Sequence, residues 1–222
     1  MLPEKFKILS TKVLTKEHKQ HFSTNLEIIA QDFISIEPIH FNFTPQTNDL
    51  IVFTSQNAVK AVTQKTSTIE NDIVCVGEKT AKLIENQFQK KPKIIGNSSK
   101  QLAQEIIKAH YSSILFLSGN LRRDELPHIL QSENIDFKEI TVYKTISQPH
   151  TLFQHFDGMI FFSPSGVESY LKNNQFSKNT LIFAIGDTTA DFIKQKGSEC
   201  IISKKPTLES LIETVNYYFN NK

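Results

Sequence analysis

The chain has 222 residues, of which 39% are hydrophobic and 22% charged, enough for one large or two small globular domains and too apolar for a disordered chain. Its 25 Lys and Arg against 23 Asp and Glu give a net charge of +2, which excludes a strongly basic nucleic-acid coat and an acidic tail protein. No apolar run approaches the roughly 18 residues of a membrane span, and the charged, proline-containing start from Met1 to Lys7 lacks the apolar core of a secretion signal.

In chain order, short β-like runs alternate with helical stretches. Phe6 to Ser10 reads as a strand. Lys16 to Leu26 reads as a polar helix with Phe22 and Leu26 on one face. Asp32 to Ile36 alternates and stops at Pro38. Leu50 to Phe53 is wholly apolar, the pattern of a strand buried on both faces, and Gln56 to Gln64 follows as a helix. Ile73 to Val76 predicts a strand, Thr80 to Phe88 a helix, Ile94 and Ile95 a strand, and Ser98 to Ala109 a helix capped by its first serine. Ile114 to Leu117 is strand-like, Leu126 to Gln131 helical, and Lys138 to Thr145 extended. Strand then helix recurs at Met159 to Phe162 with Val167 to Leu171, and at Leu181 to Ile185 with Thr188 to Lys196. Cys200 to Ile202 and Leu208 to Phe219 close the chain as strand and helix. This alternation predicts an α/β fold with parallel sheets. Cys75 and Cys200 stand alone in apolar stretches and read as reduced, buried thiols of a cytoplasmic protein.

The two halves repeat one another. Phe53-Thr54-Ser55 with Ala58-Val59 matches Phe162-Ser163 with Gly166-Val167, and Val76-Gly77-Glu78 matches Ile185-Gly186-Asp187. Leu102 matches Leu211, Leu9-Ser10 matches Leu117-Ser118, and Asp32-Phe33 matches Asp136-Phe137. Most shifts are about 108 residues, too long and too few for a solenoid, so they predict two similar α/β domains with a cleft between them. Ile36 to Pro45 and Thr145 to Thr151 are the segments suited to carry the chain across, so it crosses twice.

Four strand-to-helix turns carry hydroxyls or glycine where anions bind in parallel sheets. They hold Thr54, Ser55 and Asn57; Gly77 and Thr80; Ser163, Ser165 and Gly166; and Gly186, Thr188 and Thr189. Helix capping alone explains any one of them. Four in two matched pairs favour an anion-binding cleft. A fifth strand end carries Gly119, Asn120 and Arg122. Gly119 permits a tight turn or close approach to a ligand, and Arg122 suits either a bidentate carboxylate grip or a local ion pair with Asp124 or Glu125. Tyr143, near the second crossing, either points its hydroxyl into the cleft or fills a half-buried strand face. Of the seven histidines only His18 and His21 approach ligand spacing, and they lack partners for a metal. Neither a dinucleotide turn nor a phosphate loop is present.

The same segments, with Phe116-Leu-Ser-Gly-Asn-Leu-Arg122, Val142-Tyr-Lys-Thr145 and Lys205-Pro-Thr-Leu-Glu-Ser-Leu211, resemble the uroporphyrinogen-III synthase family over nearly the whole chain. The resemblance implies two α/β domains, residues 1–37 with 146–222 and residues 38–145, joined by a two-stranded connector. It implies a monomer without cofactor or metal, acting on hydroxymethylbilane with loss of water and inversion of ring D. Tyr143 would be the catalytic acid. The substrate's eight carboxylates would meet the hydroxyls and backbone donors of the five turns, with Gly77, Gly166 and Gly186 supplying donors. The instability of that substrate makes a transient contact with hydroxymethylbilane synthase worth testing. No membrane or nucleic-acid partner is expected. The residues by themselves also suit a non-catalytic two-domain module for a polycarboxylate, in which Tyr143 would have no part.

Overall fold

The computed structural model describes residues 5–221, so the first four residues of the charged N-terminal segment lie outside the described part. The chain divides into two compact units, Met1–Ser35 with Ile146–Lys222, and Ile36–Thr145. The first boundary falls between Ser35 and Ile36, two residues ahead of the expected one.

The first unit holds β1 (Phe6–Ser10), α1 (Lys16–Gln20), β2 (Leu26–Ala30), β9 (Gly158–Phe161), α6 (Pro164–Leu171), β10 (Leu181–Ala184), α7 (Asp187–Gln195), β11 (Ile201–Ile202) and α8 (Leu208–Asn220). Its five strands run parallel in the order β11-β10-β9-β1-β2. The second unit holds β4 (Leu50–Phe53), α2 (Gln56–Thr63), β5 (Ile73–Val76), α3 (Glu78–Phe88), β6 (Ile94–Gly96), α4 (Ser99–Lys108), β7 (Ser113–Gly119), α5 (Glu125–Ser132) and β8 (Asp136–Ser147). Its parallel strands take the order β8-β7-β4-β5-β6, with β3 (Ile34–Pro38) on the edge beside β8. The unit boundaries fall inside β3 and inside β8.

Every residue of β4 and of β9 is buried, as continuous apolar runs require when helices cover both faces of a parallel sheet. In the second unit α2 and α3 pack on one face through Val59, Val62 and Ile84, and α4 and α5 on the other through Leu102, Ile106 and Leu130. In the first unit α6 and α7 cover one face through Val167, Tyr170 and Ile193, and α8 the other through Leu211, Val215 and Phe219. The strand orders are equivalent once β2-β1-β9-β10-β11 is laid on β8-β7-β4-β5-β6. The two units are thus one design with the chain entering at different points.

Three readings of the sequence change. The helix expected from Lys16 to Leu26 stops at Gln20, and Leu26 opens β2 instead. Phe22 and Leu26 are both buried, but Leu26–Ala30 pairs with all of β1 in register. Pairing gives these backbone groups partners that one more helical turn over a polar segment would not improve upon. The repeat also shifts. Leu9 pairs with Met159 as Leu115 pairs with Ile51, so Leu9 corresponds to Leu115, and not to Leu117. Asp32-Phe33 follows β2 whereas Asp136-Phe137 opens β8, so that match was coincidental.

Candidate functional site

In sheets of this kind, ligands gather at the carboxyl ends of the two strands where the order reverses direction. In the second unit those strands are β4 and β7. Beyond β4, Ser55 caps α2, its Oγ accepting the Asn57 N–H at 3.1 Å. Tyr143 Oη donates to the same Oγ at 3.1 Å. The Thr54 hydroxyl has no hydrogen-bond partner among the described residues.

Tyr143 reaches Ser55 because β8 is bulged. Ser118 pairs with Thr141, but Gly119 pairs with Tyr143, leaving Val142 as the extra residue. A regular strand would send Val142 and Tyr143 to opposite faces. Here both pack against the cluster that includes α2. Bulges near sheet ends re-aim side chains in this way. The ring lies over Gly119. A Cβ there would come 2.6 Å from Tyr143 Cε2, 2.7 Å from its hydroxyl oxygen, and closer still to Cζ. Asn120 holds the strand beyond the bulge: its Oδ1 accepts Thr145 N–H at 2.8 Å, its Nδ2 donates to Thr145 O at 3.3 Å, and its N–H donates to Tyr143 O at 3.3 Å.

Arg122 grips a carboxylate of the chain itself. Its Nε and Nη2 donate to the two oxygens of Glu139 at 2.6 and 2.8 Å, and Nη1 pairs with Asp124. Ser118 Oγ adds a third bond to Glu139 at 2.6 Å. The hydrogen bonds that Arg122 donates to Glu139 raise its pKa further. Burial pushes the Glu139 carboxyl up, but the bonds from Arg122 and Ser118 outweigh it and hold the group below its ordinary value. A folded-state pKa lowered in this way stabilises the fold above the unfolded value of about 4.3, and the contribution disappears as pH falls through the folded value. Glu139 is about one-quarter exposed, so Glu139→Gln should cost about 1–2 kcal/mol at pH 7. Urea titrations of both proteins should show that gap closing below pH ~4; an equal gap at pH 7 and pH 3 would contradict the assignment.

The other turns are arranged as follows. Gly77 caps α3 with φ at +83°, a conformation open to glycine and strained for other residues; its own N–H is spent on Gly96 O at 2.9 Å. Gly186 caps α7 from extended backbone. Thr80 and Thr189 are 5% and 3% exposed, turned inward with Ala81 and Ala190, whereas Thr188 is exposed on the first turn of α7. Ser163 caps α6, accepting the Gly166 N–H at 3.1 Å and lying 3.0 Å from Ser165 Oγ.

A family model described as "Uroporphyrinogen-III synthase HemD" matches residues 25–213. The chain belongs to the uroporphyrinogen-III synthase family. It is 26% identical to the uroporphyrinogen-III synthase of Saccharomyces cerevisiae, over 87% of this chain and 84% of the yeast one. The fold is similar to the crystal structure of the Helicobacter pylori uroporphyrinogen-III synthetase, at 20% identity and a TM-score of 0.72 over 96% of this chain and 99% of that one. A mutant uroporphyrinogen III synthase from Thermus thermophilus gives 12% identity and a TM-score of 0.68 over 98% and 100%.

As a member of the uroporphyrinogen-III synthase family the chain shows a smaller set of available groups than its motifs suggest. The structure gathers Ser55, Gly119, Asn120 and Tyr143 at one switch point. Thr54 and Asn57 stand beside them. Arg122 is occupied by Glu139 and Asp124, so the ion-pair alternative describes it, with Glu139 as the main partner instead of Glu125. Thr80 and Thr189 face inward, and the N–H groups of Gly77 and Gly166 already have acceptors. The N–H groups of Val167, Thr80 and Thr189 also have carbonyl acceptors, so the donors left are the very first N–H groups of the helices, such as those of Glu78 and Lys79 in α3 and Ser165 in α6.

Sequence reasoning misses Thr11 and Lys12. They follow β1, which with β9 flanks the switch point of the first unit. Thr11 Oγ1 donates to Ile160 O at 2.8 Å, and Lys12 Nζ sits 6.0 Å from the centre of the Phe162 ring. The repeat is the signal that finds them, because β1 takes the place of β7. Cys75 is buried as expected, whereas Cys200, beside the short edge strand β11, is only half-buried; burial first, with Glu78 and Glu85 nearby, pushes the Cys75 thiol up to about 12, so it is no nucleophile. Among the described residues no helix is long and apolar enough to cross a membrane.

Proposed function

We propose that this chain cyclises hydroxymethylbilane to uroporphyrinogen III, with Tyr143 as the acid that starts the reaction. The observation that carries this reading is the Tyr143 hydroxyl at the switch point of the second unit, turned there by a bulge and bonded to Ser55. A tyrosine used only to fill a strand face needs neither device.

The phenol gives its proton to the hydroxyl of the hydroxymethyl group. The carbon–oxygen bond breaks, water leaves, and an azafulvene cation remains. The substituted carbon of ring D attacks that cation and forms a spiro intermediate. Fragmentation and reclosure at the other carbon of ring D invert the ring. Reclosure releases a proton, which returns to the phenolate, so protons balance and no oxidant or reductant is consumed. General acid catalysis of this kind supplies about 10²–10⁴-fold. The rest comes from holding the bilane so that the attacking carbon reaches the cation. The substrate carboxylates would be held at the second unit by Thr54, Asn57 and the first N–H groups of α2 and α3; taken by itself, the first unit offers the same kind of donors at Ser165 and the starts of α6 and α7. Helix N-termini suit carboxylates through free N–H groups and the helix dipole. The chain would act as a monomer and receive its unstable substrate directly from hydroxymethylbilane synthase.

The test couples hydroxymethylbilane synthase to this protein, oxidises the products and separates the uroporphyrin isomers by chromatography. Predominantly isomer III is expected. Isomer I alone, at the uncatalysed rate, would overturn the enzymatic reading and leave a polycarboxylate-binding module.

A further inference from the structure

We infer that Gly119 and Asn120 act on the reaction through Tyr143, as positioning residues for its phenol, and not as contacts to the substrate. The inference rests on the reading of Tyr143 as the acid.

Three observations on three sides of Tyr143 carry it. Beneath the ring, Gly119 leaves room that a single methyl group would fill, since an added Cβ would sit within 2.7 Å of the hydroxyl oxygen and 2.6 Å of Cε2. Real Cβ atoms do not show such distances, so a methyl group at this position forces the ring, which packs against the cluster that includes Val142, to shift from its seat. Along the strand, the Asn120 side chain makes a two-point clamp on Thr145 while its own N–H binds Tyr143 O. These bonds hold the backbone just after the bulge, where an extra residue otherwise leaves the ladder unpaired. At the tip, Ser55 Oγ accepts both the Asn57 N–H and the Tyr143 O–H. A hydroxyl has two acceptor sites, so both are taken. In the resting chain the Tyr143 O–H is thus directed at Ser55, which holds the phenol oxygen in place for the incoming hydroxyl to accept its proton. A rotation about the ring–oxygen bond then hands the proton over without moving the ring. Pre-set geometry of this sort matters because about 1 Å of misplacement costs on the order of 100-fold.

The test is a double-mutant cycle in the coupled assay, measuring kcat and KM of Gly119→Ala, Tyr143→Phe and the double variant. Gly119→Ala is expected to lower kcat to within about threefold of Tyr143→Phe with little change in KM. The double variant is expected to be no slower than Tyr143→Phe alone, because residues acting through one group are non-additive. A wild-type kcat for Gly119→Ala overturns the inference, and so does a loss that multiplies with that of Tyr143→Phe. A raised KM at unchanged kcat would make Gly119 a substrate contact and likewise overturn it. Thermal melting checks folding. If Gly119→Ala does not melt cooperatively, Asn120→Ala replaces it, with an expected loss of about 3- to 30-fold in kcat that is again absent in the Tyr143→Phe background. Tyr143→Phe alone separates the two ideas: full activity in that variant removes the acid and the seat together, whereas a slow Tyr143→Phe beside a normal Gly119→Ala removes only the seat.

Discussion

Tyr143→Phe is expected to lower the rate of uroporphyrinogen III formation by roughly 10- to 1000-fold, which overlaps the lower part of the ~10²–10⁴-fold that one acid–base contribution supplies. The substitution removes only the phenolic oxygen. The ring keeps its place over Gly119 and against Val142, and Ser55 keeps the Asn57 N–H as its helix cap. One hydrogen bond at a half-buried site is lost, worth about 1 kcal/mol or less. The melting temperature should therefore stay within a few degrees of the parent while the rate collapses. That contrast distinguishes a chemical role from a structural one. The residual rate should still exceed the uncatalysed one, because folding the substrate toward ring D is a task for many donors. A parent-like rate would remove Tyr143 from the mechanism and return it to the role of a strand-face filler.

The largest expected effect on stability is that of Phe161→Ala, about 3–5 kcal/mol. Phe161 is the last residue of β9 and is fully buried. Tyr170 meets it edge-on at 5.4 Å and Phe176 at 5.9 Å, and Tyr170 in turn packs on Phe33 at 5.9 Å. The four rings tie β9, α6 and the segment after β2 into one cluster. Removing the central ring loses its burial and leaves a cavity bounded by rigid aromatic neighbours that collapse poorly. The Tyr170 hydroxyl is anchored to Gln175 O at 2.9 Å, so that ring cannot swing inward. With a urea dependence near 2 kcal/mol per molar, the unfolding midpoint should drop by about 1.5–2.5 M. A shift below about 0.5 M would mean that the cluster relaxes into the gap.

Much of the fold is legible from residue patterns. The apolar runs at Leu50 to Phe53 and Met159 to Phe162, followed at once by Ser-capped helices, are strand and helix on composition alone. Burial on both faces and a capping hydroxyl leave few other conformations. The segment from Lys16 to Ala30 is the counter-example. Phe22 and Leu26 satisfy a helical spacing, but β1 needed a parallel neighbour, and no local pattern records that need. The exchange of partners in the repeat has the same origin, because register is a property of two strands and not of one.

The site divides along the same line. Residue types at the strand ends determine, by themselves, that Ser55 and Ser163 suit helix caps, that glycines stand at two of the turns, and that a tyrosine lies near the end of a strand. Which groups remain available is decided only in three dimensions. Arg122 has a sequence neighbour in Asp124, yet its bidentate partner, Glu139, comes from a strand 17 residues away. Gly119 reads as a tight turn or a close approach to a ligand, and in the fold it is the floor under the Tyr143 ring. A regular strand would put Tyr143 on the face opposite Val142; one extra residue in the ladder brings both to the same cluster. Local chemistry thus determined what each segment is able to be, while the pairing of distant strands, which alone positions side chains to within an ångström, decided which hydroxyl meets Ser55.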